Sequence, residues 1–174
     1  MIELYKPDMY KKDIYSIDYK KLKTFGIKCI LFDLDNTIVP YYLYKPTRKV
    51  KDLIERLKDL GFKVIIFSNS SKRRLTPFKE ILEVDCSASS RKPSQRKLKK
   101  VLTEYKFDQS EVAIIGDQII TDVFGGNRVG IFTVLVNPIS NREPIWTKIN
   151  RIRERKVIKK LRKRDMFKRW AYYE

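Results

Sequence analysis

The chain has 174 residues, a formal net charge of +18 and two cysteines. This length suits one domain whose core needs no disulfide bonds, which excludes a small disulfide-stapled scaffold. No run approaches the roughly 20 apolar residues that span a bilayer, and no N-terminal segment has the apolar centre of a signal peptide. We therefore expect a cytoplasmic protein, with peripheral contact at the inner face of the membrane left open.

Apolar blocks that suit buried strands alternate with helical patterns after an N-terminal arm. In chain order the pattern predicts a strand at 28–33, a helix at 47–60, a strand at 63–68, a helix at 72–82, a strand at 84–87, a helix at 94–105, a strand at 112–115, a helix at 120–127 and a strand at 131–136. Such alternation predicts an α/β protein of three layers, α/β/α, with a mostly parallel sheet. We assign residues 1–138 to this domain and residues 139–174 to a basic C-terminal helical extension.

The extension is strongly basic, and Pro144 lies close to its predicted helical start. At 100° per residue its apolar positions fall into two groups on nearly opposite sides of a helix. The first group is Ile145, Ile149 and Ile152, and the second is Val157, Ile158 and Leu161. We therefore expect the first half to contact the domain while the second half projects, or a bend near residues 153–156. A projecting basic end suits an anionic membrane surface or nucleic acid, and a solvated helix is the simpler alternative.

Two aspartates, Asp33 and Asp35, stand one residue apart directly after a buried strand pattern, and Thr37 follows them. Ligands of open α/β sheets bind where strands end, next to a switch in strand order. A chain that leaves the sheet after Asp33 can direct both carboxylates and the intervening amides at one phosphate. The pattern predicts a phosphoryl-transfer site, with an acidic loop that caps the next helix as the alternative.

Three later clusters also follow strands or begin helices. Ser68 and Asn69 follow the next central strand, where a hydroxyl and backbone amides can hold phosphate oxygens. Lys92 precedes a predicted helix, and its cation can neutralise a phosphate among carboxylates. Asp117 and Asp122 add two acids after another strand, and a carboxylate such as Asp117 can ligate a hard cation. Taken singly, Ser-Asn after a strand is as typical of an ordinary turn or helix cap. A lone lysine is more typical of a solvated side chain.

Together and in this order, the four clusters resemble the signature of the haloacid dehalogenase superfamily of aspartyl-phosphate phosphatases, over roughly residues 28–136. Residues 32–37, 91–93 and 116–128 look like the YqeG-type members of subfamily IIIA. These members are similar in turn to phosphatases that act on phosphatidylglycerophosphate. The residues that match the four motifs in order are Asp33, Asp35 and Thr37, then Ser68, then Lys92, then Asp117 with Asp122.

The resemblance implies a role for each matched residue. Asp33 would be the nucleophile, and Asp35 would protonate the leaving alcohol and later activate water. Mg²⁺ would be held by Asp33, the backbone carbonyl of Asp35 and Asp117. Asp122 would orient the waters of the metal, or Lys92, rather than bind the ion. The phosphate group of the substrate would be held by Thr37, Ser68, Asn69 and Lys92, and Lys92 would also be catalytic.

The spans between the motifs leave no room for a sizeable cap domain. One helix and one strand fill the stretch between Asp33 and Ser68, and the same holds between Ser68 and Lys92. We therefore expect an open, capless site, and capless relatives often take large substrates that a macromolecule or a surface helps to enclose. The loop after the nucleophile has three tyrosines that could flank a substrate or an interface, or serve local packing: Tyr41, Tyr42 and Tyr44.

Three functions remain in competition at this stage. The first is a Mg²⁺-dependent phosphatase of phosphatidylglycerophosphate or a related anionic lipid, docked on an acidic bilayer through its basic C-terminus. The second keeps the chemistry but acts on nucleic-acid ends or soluble phosphomonoesters. The third is a basic RNA- or ribosome-binding protein with a vestigial site. The sequence leaves the natural substrate and the oligomeric state open.

Overall fold

The computed structural model describes residues 1–142 and 145–174, with the backbone alone at 145 and 146. Six strands form one sheet in this part of the chain: β1 (Met9–Tyr10), β2 (Cys29–Phe32), β3 (Lys63–Phe67), β4 (Asp85–Ser87), β5 (Val112–Gly116) and β6 (Phe132–Leu135). The α-helices are α1 (Tyr19–Thr24), α2 (Arg48–Asp59), α3 (Lys72–Leu82), α4 (Gln95–Tyr105), α5 (Phe124–Asn127) and α6 (Ile145–Arg162).

The strands run in the order β1-β6-β5-β2-β3-β4, and every neighbouring pair is parallel. The chain moves outward from β2 in one direction to β3 and β4, and in the other direction to β5 and β6. The strand order therefore reverses between β2 and β5, which is the switch point where ligands of such sheets bind. The predicted α/β fold with a parallel sheet is confirmed.

Apolar side chains of the central strands alternate between two buried clusters, one on each face of the sheet. In β2, Ile30 and Phe32 face the larger cluster, whereas Cys29 and Leu31 face the smaller one. A strand buried on both faces reads as a continuous apolar run, which is why β2 could be recognised in the sequence. Helices therefore cover both faces, and the carboxyl edge of the sheet is left for polar residues.

The predicted helix at 120–127 is a π-helix at Ile119–Val123 that continues into α5. The stretch between the loop after Asp33 and the second motif holds α2 and β3, and the stretch up to the third motif holds α3 and β4. The capless arrangement expected from the sequence is therefore present. A strand that the sequence did not reveal is β1, which has two residues and pairs with β6 at the sheet edge.

The expected path of the C-terminal extension is wrong for its second half, which packs on the domain instead of projecting. Residues 145–162 form one continuous helix rather than two short ones, and both halves contact the domain. Leu161 is fully buried in a third apolar cluster with Tyr10, whereas Ile149 and Ile152 on the first half are exposed. The chain then returns, and the backbones of Tyr10 and Tyr173 exchange two hydrogen bonds.

A single inward face explains this path. Residues 147, 150, 151, 154, 158 and 161 lie on one side of a helix at 100° per residue. The side is polar in the first half and becomes apolar only at its end, so apolar positions alone gave a misleading pattern. The predicted start near Pro144 lies outside the described residues, and the boundary at residue 138 stays a prediction. None of the helices described is long and apolar enough to cross a membrane.

Candidate active site

The predicted site residues meet at the carboxyl edge of the sheet. Asp33 follows β2 and Asp117 follows β5, on the two sides of the switch point, and Ser68 follows β3. A cavity of about 240 Å³ opens between these loops. Its lining includes Asp33, Ser68 and Lys92, together with Thr147 and Asn150 from α6. The first half of α6 thus supplies one wall of a site that has no cap domain.

Lys92 is buried and joins two carboxylates. Its Nζ donates to Oδ1 of Asp33 at 2.6 Å and to Oδ1 of Asp122 at 2.7 Å. Asn69 fixes the backbone of this lysine, because its Oδ1 accepts from the Lys92 N–H at 2.6 Å and its Nδ2 donates to the Lys92 carbonyl at 3.2 Å. The side-chain amide of Asn69 therefore holds the two loops together, while its predicted phosphate contact stays a prediction.

Asp122 lies against Gly116 and supports the site from behind. Its second oxygen, Oδ2, accepts from the backbone N–H of Gln118 at 3.1 Å. A Cβ added at Gly116 would lie 2.2 Å from Cγ of Asp122, so a side chain at position 116 would displace the carboxylate. Both oxygens of Asp122 are engaged, one of them by Lys92, which agrees with the orienting role that the family resemblance implies.

Asp117 is fully buried and its carboxylate is held from two sides. Thr37 donates its hydroxyl to Oδ1 at 3.1 Å. On the other side Arg151 of α6 forms an ion pair with Oδ2, and its Nη1 donates to the backbone carbonyl of Asp117 at 2.8 Å. The same guanidinium pairs with Glu154 at 2.9 Å. Thr37 therefore orients an acid in this structure, and its predicted phosphate contact remains untested.

Asp35 lies at the rim of the cavity and is half-buried. Arg74, in the first turn of α3, donates to its Oδ1 from Nη2 at 2.8 Å and from Nε at 3.2 Å. Ser70 donates its hydroxyl to the other oxygen at 2.5 Å. The third donor of Arg74, Nη1, binds the carbonyl of Leu43 and so ties α3 to the loop after Asp33.

Burial governs the ionisation of the central acids. It raises the pKa of Asp33 to about 6, although the Lys92 ammonium opposes the shift. It raises the pKa of Asp117 to about 8, although Arg151 opposes that shift. Burial disfavours the charge on Lys92, but the carboxylates of Asp122 and Asp33 outweigh it and raise the pKa of Lys92 above its ordinary value. A further cation would therefore be stabilised between these acids.

The acids fit a divalent metal ion. One oxygen each of Asp33, Asp117 and Asp122 lies within 4.8 Å of the others, and all three residues are buried. Carboxylate oxygens are the ligands that a hard cation such as Mg²⁺ prefers. Gln118 lines the same cavity, and within the described residues its buried Oε1 accepts no hydrogen bond, which leaves an acceptor for a metal-bound water. Asp33 and Asp117 could hold Mg²⁺, whereas both oxygens of Asp122 already accept hydrogen bonds.

Sequence reasoning missed the residues that reach the site from α3 and α6. Arg74 follows Ser68 by six positions, and its place in the first turn of a helix capped by Ser71 could have suggested it. Arg151, Thr147 and Asn150 carry no such signal. They lie far along the chain from the four motifs, and only the packing of α6 brings them there.

A buried aspartate that contacts a buried lysine, with a second acid at the rim and a cluster of acids that could hold a cation, suits phosphoryl transfer. This arrangement of side chains, on a parallel sheet with this strand order, is that of a phosphatase of the haloacid dehalogenase class. The family model for haloacid dehalogenase-like hydrolases matches residues 40–130. The chain is 35% identical over 158 residues to Probable phosphatase YqeG of Bacillus subtilis (strain 168), covering 91% of this chain and 92% of that protein. This chain therefore belongs to the haloacid dehalogenase-like hydrolases, and it is a phosphatase.

Two further relatives are informative. The chain is 31% identical to Phosphatidylglycerophosphate phosphatase 1, chloroplastic/mitochondrial, of Arabidopsis thaliana over 148 residues, which is 79% of this chain but 42% of that protein. The cobalt-bound deoxy-D-mannose-octulosonate 8-phosphate phosphatase of Haemophilus influenzae superposes with a TM-score of 0.56 at 15% identity, covering 74% of this chain and 77% of the other. The second likeness supports the fold alone.

Proposed function

We propose that this chain is a Mg²⁺-dependent phosphomonoesterase that forms an aspartyl phosphate on Asp33 and acts on phosphatidylglycerophosphate or a closely related anionic phospholipid. The observation that carries the chemistry is the buried ion pair of Asp33 with Lys92 at the site cavity, with a carboxylate oxygen of Asp117 within 4.8 Å of one of Asp33. Asp35 lines the rim of this cavity, and we expect it to exchange protons with the leaving group of the substrate. The lipid substrate rests on the named relatives and on the surface of α6.

The proposed reaction has two displacements at phosphorus. A carboxylate oxygen of Asp33 attacks the phosphorus atom, the bond to the ester oxygen breaks, and Asp35 gives its proton to the departing alkoxide. Asp35 then takes a proton from water, the resulting hydroxide attacks the same phosphorus, and the bond to Asp33 breaks to release phosphate. Lys92 lies beside Asp33 throughout and neutralises charge on the transferring group.

When bound, Mg²⁺ would offset the negative charge of the phosphoryl group as it transfers. Asp33 and Asp117 would hold it, with the backbone carbonyl of Asp35 as a further ligand, and Asp122 would keep Lys92 in place. Arg151 contacts Asp117 from the far side of the site. Its guanidinium keeps this buried acid paired before the cation arrives, because an unpaired buried carboxylate would be costly.

The outward face of α6 supports the proposal that the protein acts at the surface of a lipid bilayer. Ile149 and Ile152 are exposed, at 41% and 56% of their surface, and they share that face with the exposed Lys156 and Lys159. Apolar side chains surrounded by lysines suit a helix that lies on an anionic membrane, with about 1 kcal/mol per basic residue near the surface. The inward face of the same helix lines the cavity through Asn150, so a docked helix would bring the site to the lipid headgroups.

The substrate assignment is tested by phosphate release. With Mg²⁺ and vesicles that contain phosphatidylglycerophosphate, we expect turnover well above that on nucleotides, sugar phosphates and phosphorylated RNA ends. The double variant Ile149→Ser/Ile152→Ser should lose most turnover on vesicles while keeping turnover of a soluble aryl phosphate, since it removes apolar contact and leaves the site intact. Preference for RNA ends, with vesicles inert, would favour the alternative that the net charge of +18 leaves open.

Binding of Mg²⁺ should raise the Tm of the protein in a way that depends on pH. Asp33 and Asp117 have folded pKa values above the ordinary 3.8, so the folded protein holds protons that the unfolded chain releases. This stabilisation is complete below pH 3.8 and is lost as pH rises towards about 8. In EDTA we therefore expect the Tm of the wild type to fall over this range relative to that of Asp117→Asn. Mg²⁺ requires the ionised acids, so the rise in Tm that it causes should grow with pH.

The variant Asp117→Asn is the control for that measurement, because it removes one raised pKa and one metal ligand at once. Its Tm should show no response to Mg²⁺. An equal Mg²⁺ response in the wild type and in Asp117→Asn would mean that the cation binds elsewhere.

A further inference from the structure

A second cavity adjoins the active site on the side of Asp35, and we call it the leaving-group groove. It has a volume of about 940 Å³. Its lining includes Tyr41 and Tyr44 from the loop after Asp33, and Arg73 and Arg74 from the start of α3. Three residues line both this groove and the site cavity: Asp35, Tyr41 and Ser70. The two spaces are therefore continuous, and Asp35 stands at their junction.

The proposed reaction indicates which part of the substrate this groove would hold. Asp35 delivers its proton to the ester oxygen, so that oxygen lies beside Asp35 when the phosphorus lies beside Asp33. The remainder of the leaving alcohol must continue away from Asp33. Asp35 lines both spaces, whereas Lys92 and the residues of α6 line the site cavity and not the groove, so the groove is the space next to Asp35 that can take the rest of the alcohol.

The two arginines of the groove differ in what they contact. The guanidinium of Arg74 already has partners within the protein. It donates to Asp35 and to the Leu43 carbonyl, and it lies 5.0 Å from the ring centroid of Tyr44. Arg73, its neighbour in the chain, is exposed and pairs with no carboxylate among the described residues. A guanidinium beside an apolar wall is well suited to a phosphate diester, which it can contact through two N–H groups.

We propose that the leaving-group groove binds a second anionic group in the leaving alcohol, a phosphodiester one glycerol unit from the scissile oxygen, and that Arg73 is its principal contact. This inference rests on the proposed function and adds a specificity determinant to it. The groove would favour a phosphomonoester whose alcohol carries a phosphodiester over one whose alcohol is neutral. Tyr41 and Tyr44 would contact the carbon chain between the two phosphates.

The test compares two substrates in one set of variants. One is short-chain phosphatidylglycerophosphate, used as dispersed monomers so that membrane docking plays no part, and the other is glycerol 3-phosphate, which lacks the diester. Arg73→Ala should raise KM for the lipid about tenfold with little change in kcat, and Arg73→Lys should recover part of the loss. KM for glycerol 3-phosphate should stay within about twofold of the wild-type value.

The matched control is Arg96→Ala, which removes an exposed arginine of α4 that lines neither cavity. It should behave as the wild type on both substrates. If Arg73→Ala matches Arg96→Ala on a lipid that the wild type hydrolyses, the inference is overturned and the proposed function stands. If the wild type hydrolyses glycerol 3-phosphate and not the lipid, the lipid assignment itself fails and the inference fails with it.

Discussion

Replacing Asp33 by asparagine should lower kcat at least about a thousandfold on every phosphomonoester tested, because the amide cannot attack phosphorus. The loss should be independent of the leaving group, since both displacements require the carboxylate oxygen. The fold should survive, because Lys92 keeps its ion pair with Asp122 at 2.7 Å. Phosphate release by the purified variant, with its Tm measured beside that of the wild type, checks the expectation.

The matched control is Asp8→Asn, which changes an exposed aspartate of the N-terminal arm, remote from the site, that bonds to Thr133. It should keep wild-type kcat even if its Tm falls. A variant of Asp33 that retains activity within tenfold of the wild type would remove this residue from the reaction.

Replacing Asp35 by asparagine should have an effect that depends on the leaving group. The variant loses the proton donor, so turnover of an alkyl phosphate should fall by about 10² to 10⁴. An aryl phosphate such as p-nitrophenyl phosphate leaves without a proton, and formation of its aspartyl phosphate should fall far less. Pre-steady-state release of p-nitrophenol measures that first step separately from the hydrolysis of the intermediate.

The same experiment with Arg74→Ala separates proton transfer from positioning. Arg74 holds Asp35 through Nη2 and Nε but carries no proton to the substrate. We expect a smaller loss that affects alkyl phosphates more than aryl ones, because Asp35 remains present but is less well oriented. An equal loss on both esters in Asp35→Asn would mean that this acid supports the structure of the site rather than the departure of the alcohol.

Much of the fold followed from periodicity because the central strands are buried on both faces. Cys29–Phe32 and Val112–Gly116 are continuous apolar runs, and helices with one apolar stripe separate them from their neighbours. The edge strand Met9–Tyr10 could not be found in the same way. It has two residues, and it exists because β6 and the returning C-terminus pair with its backbone.

The residues of the site likewise fall into those that the sequence predicted and those that it did not. Acids that directly follow buried strands were predictable, since the carboxyl ends of parallel strands meet at one edge. The contribution of α6 was not, because its inward face begins with Thr147, Asn150 and Arg151 and becomes apolar only towards Leu161. An apolar pattern cannot indicate a helix face that is buried against polar groups of an active site. The apolar pattern therefore suggests that Ile152 is a core residue, although its side chain is exposed.

This placement gives α6 two roles on opposite faces. Inward, Arg151 pairs with Asp117 while Asn150 lines the cavity, so the helix completes a site that has no cap domain. Outward, it presents exposed isoleucines among lysines. If the helix docks on a membrane as proposed, a displacement of α6 would move the Arg151 guanidinium that contacts Asp117.

The nucleophilic role of Asp33 is tested most directly by a crystal structure of the protein with Mg²⁺ and beryllium fluoride, which mimics a phosphoryl group on a carboxylate. We expect beryllium bonded to a carboxylate oxygen of Asp33, with Lys92 on a fluorine atom and the metal on Asp33 and Asp117. Beryllium fluoride bonded to any other residue, or a metal that does not contact Asp117, would contradict it.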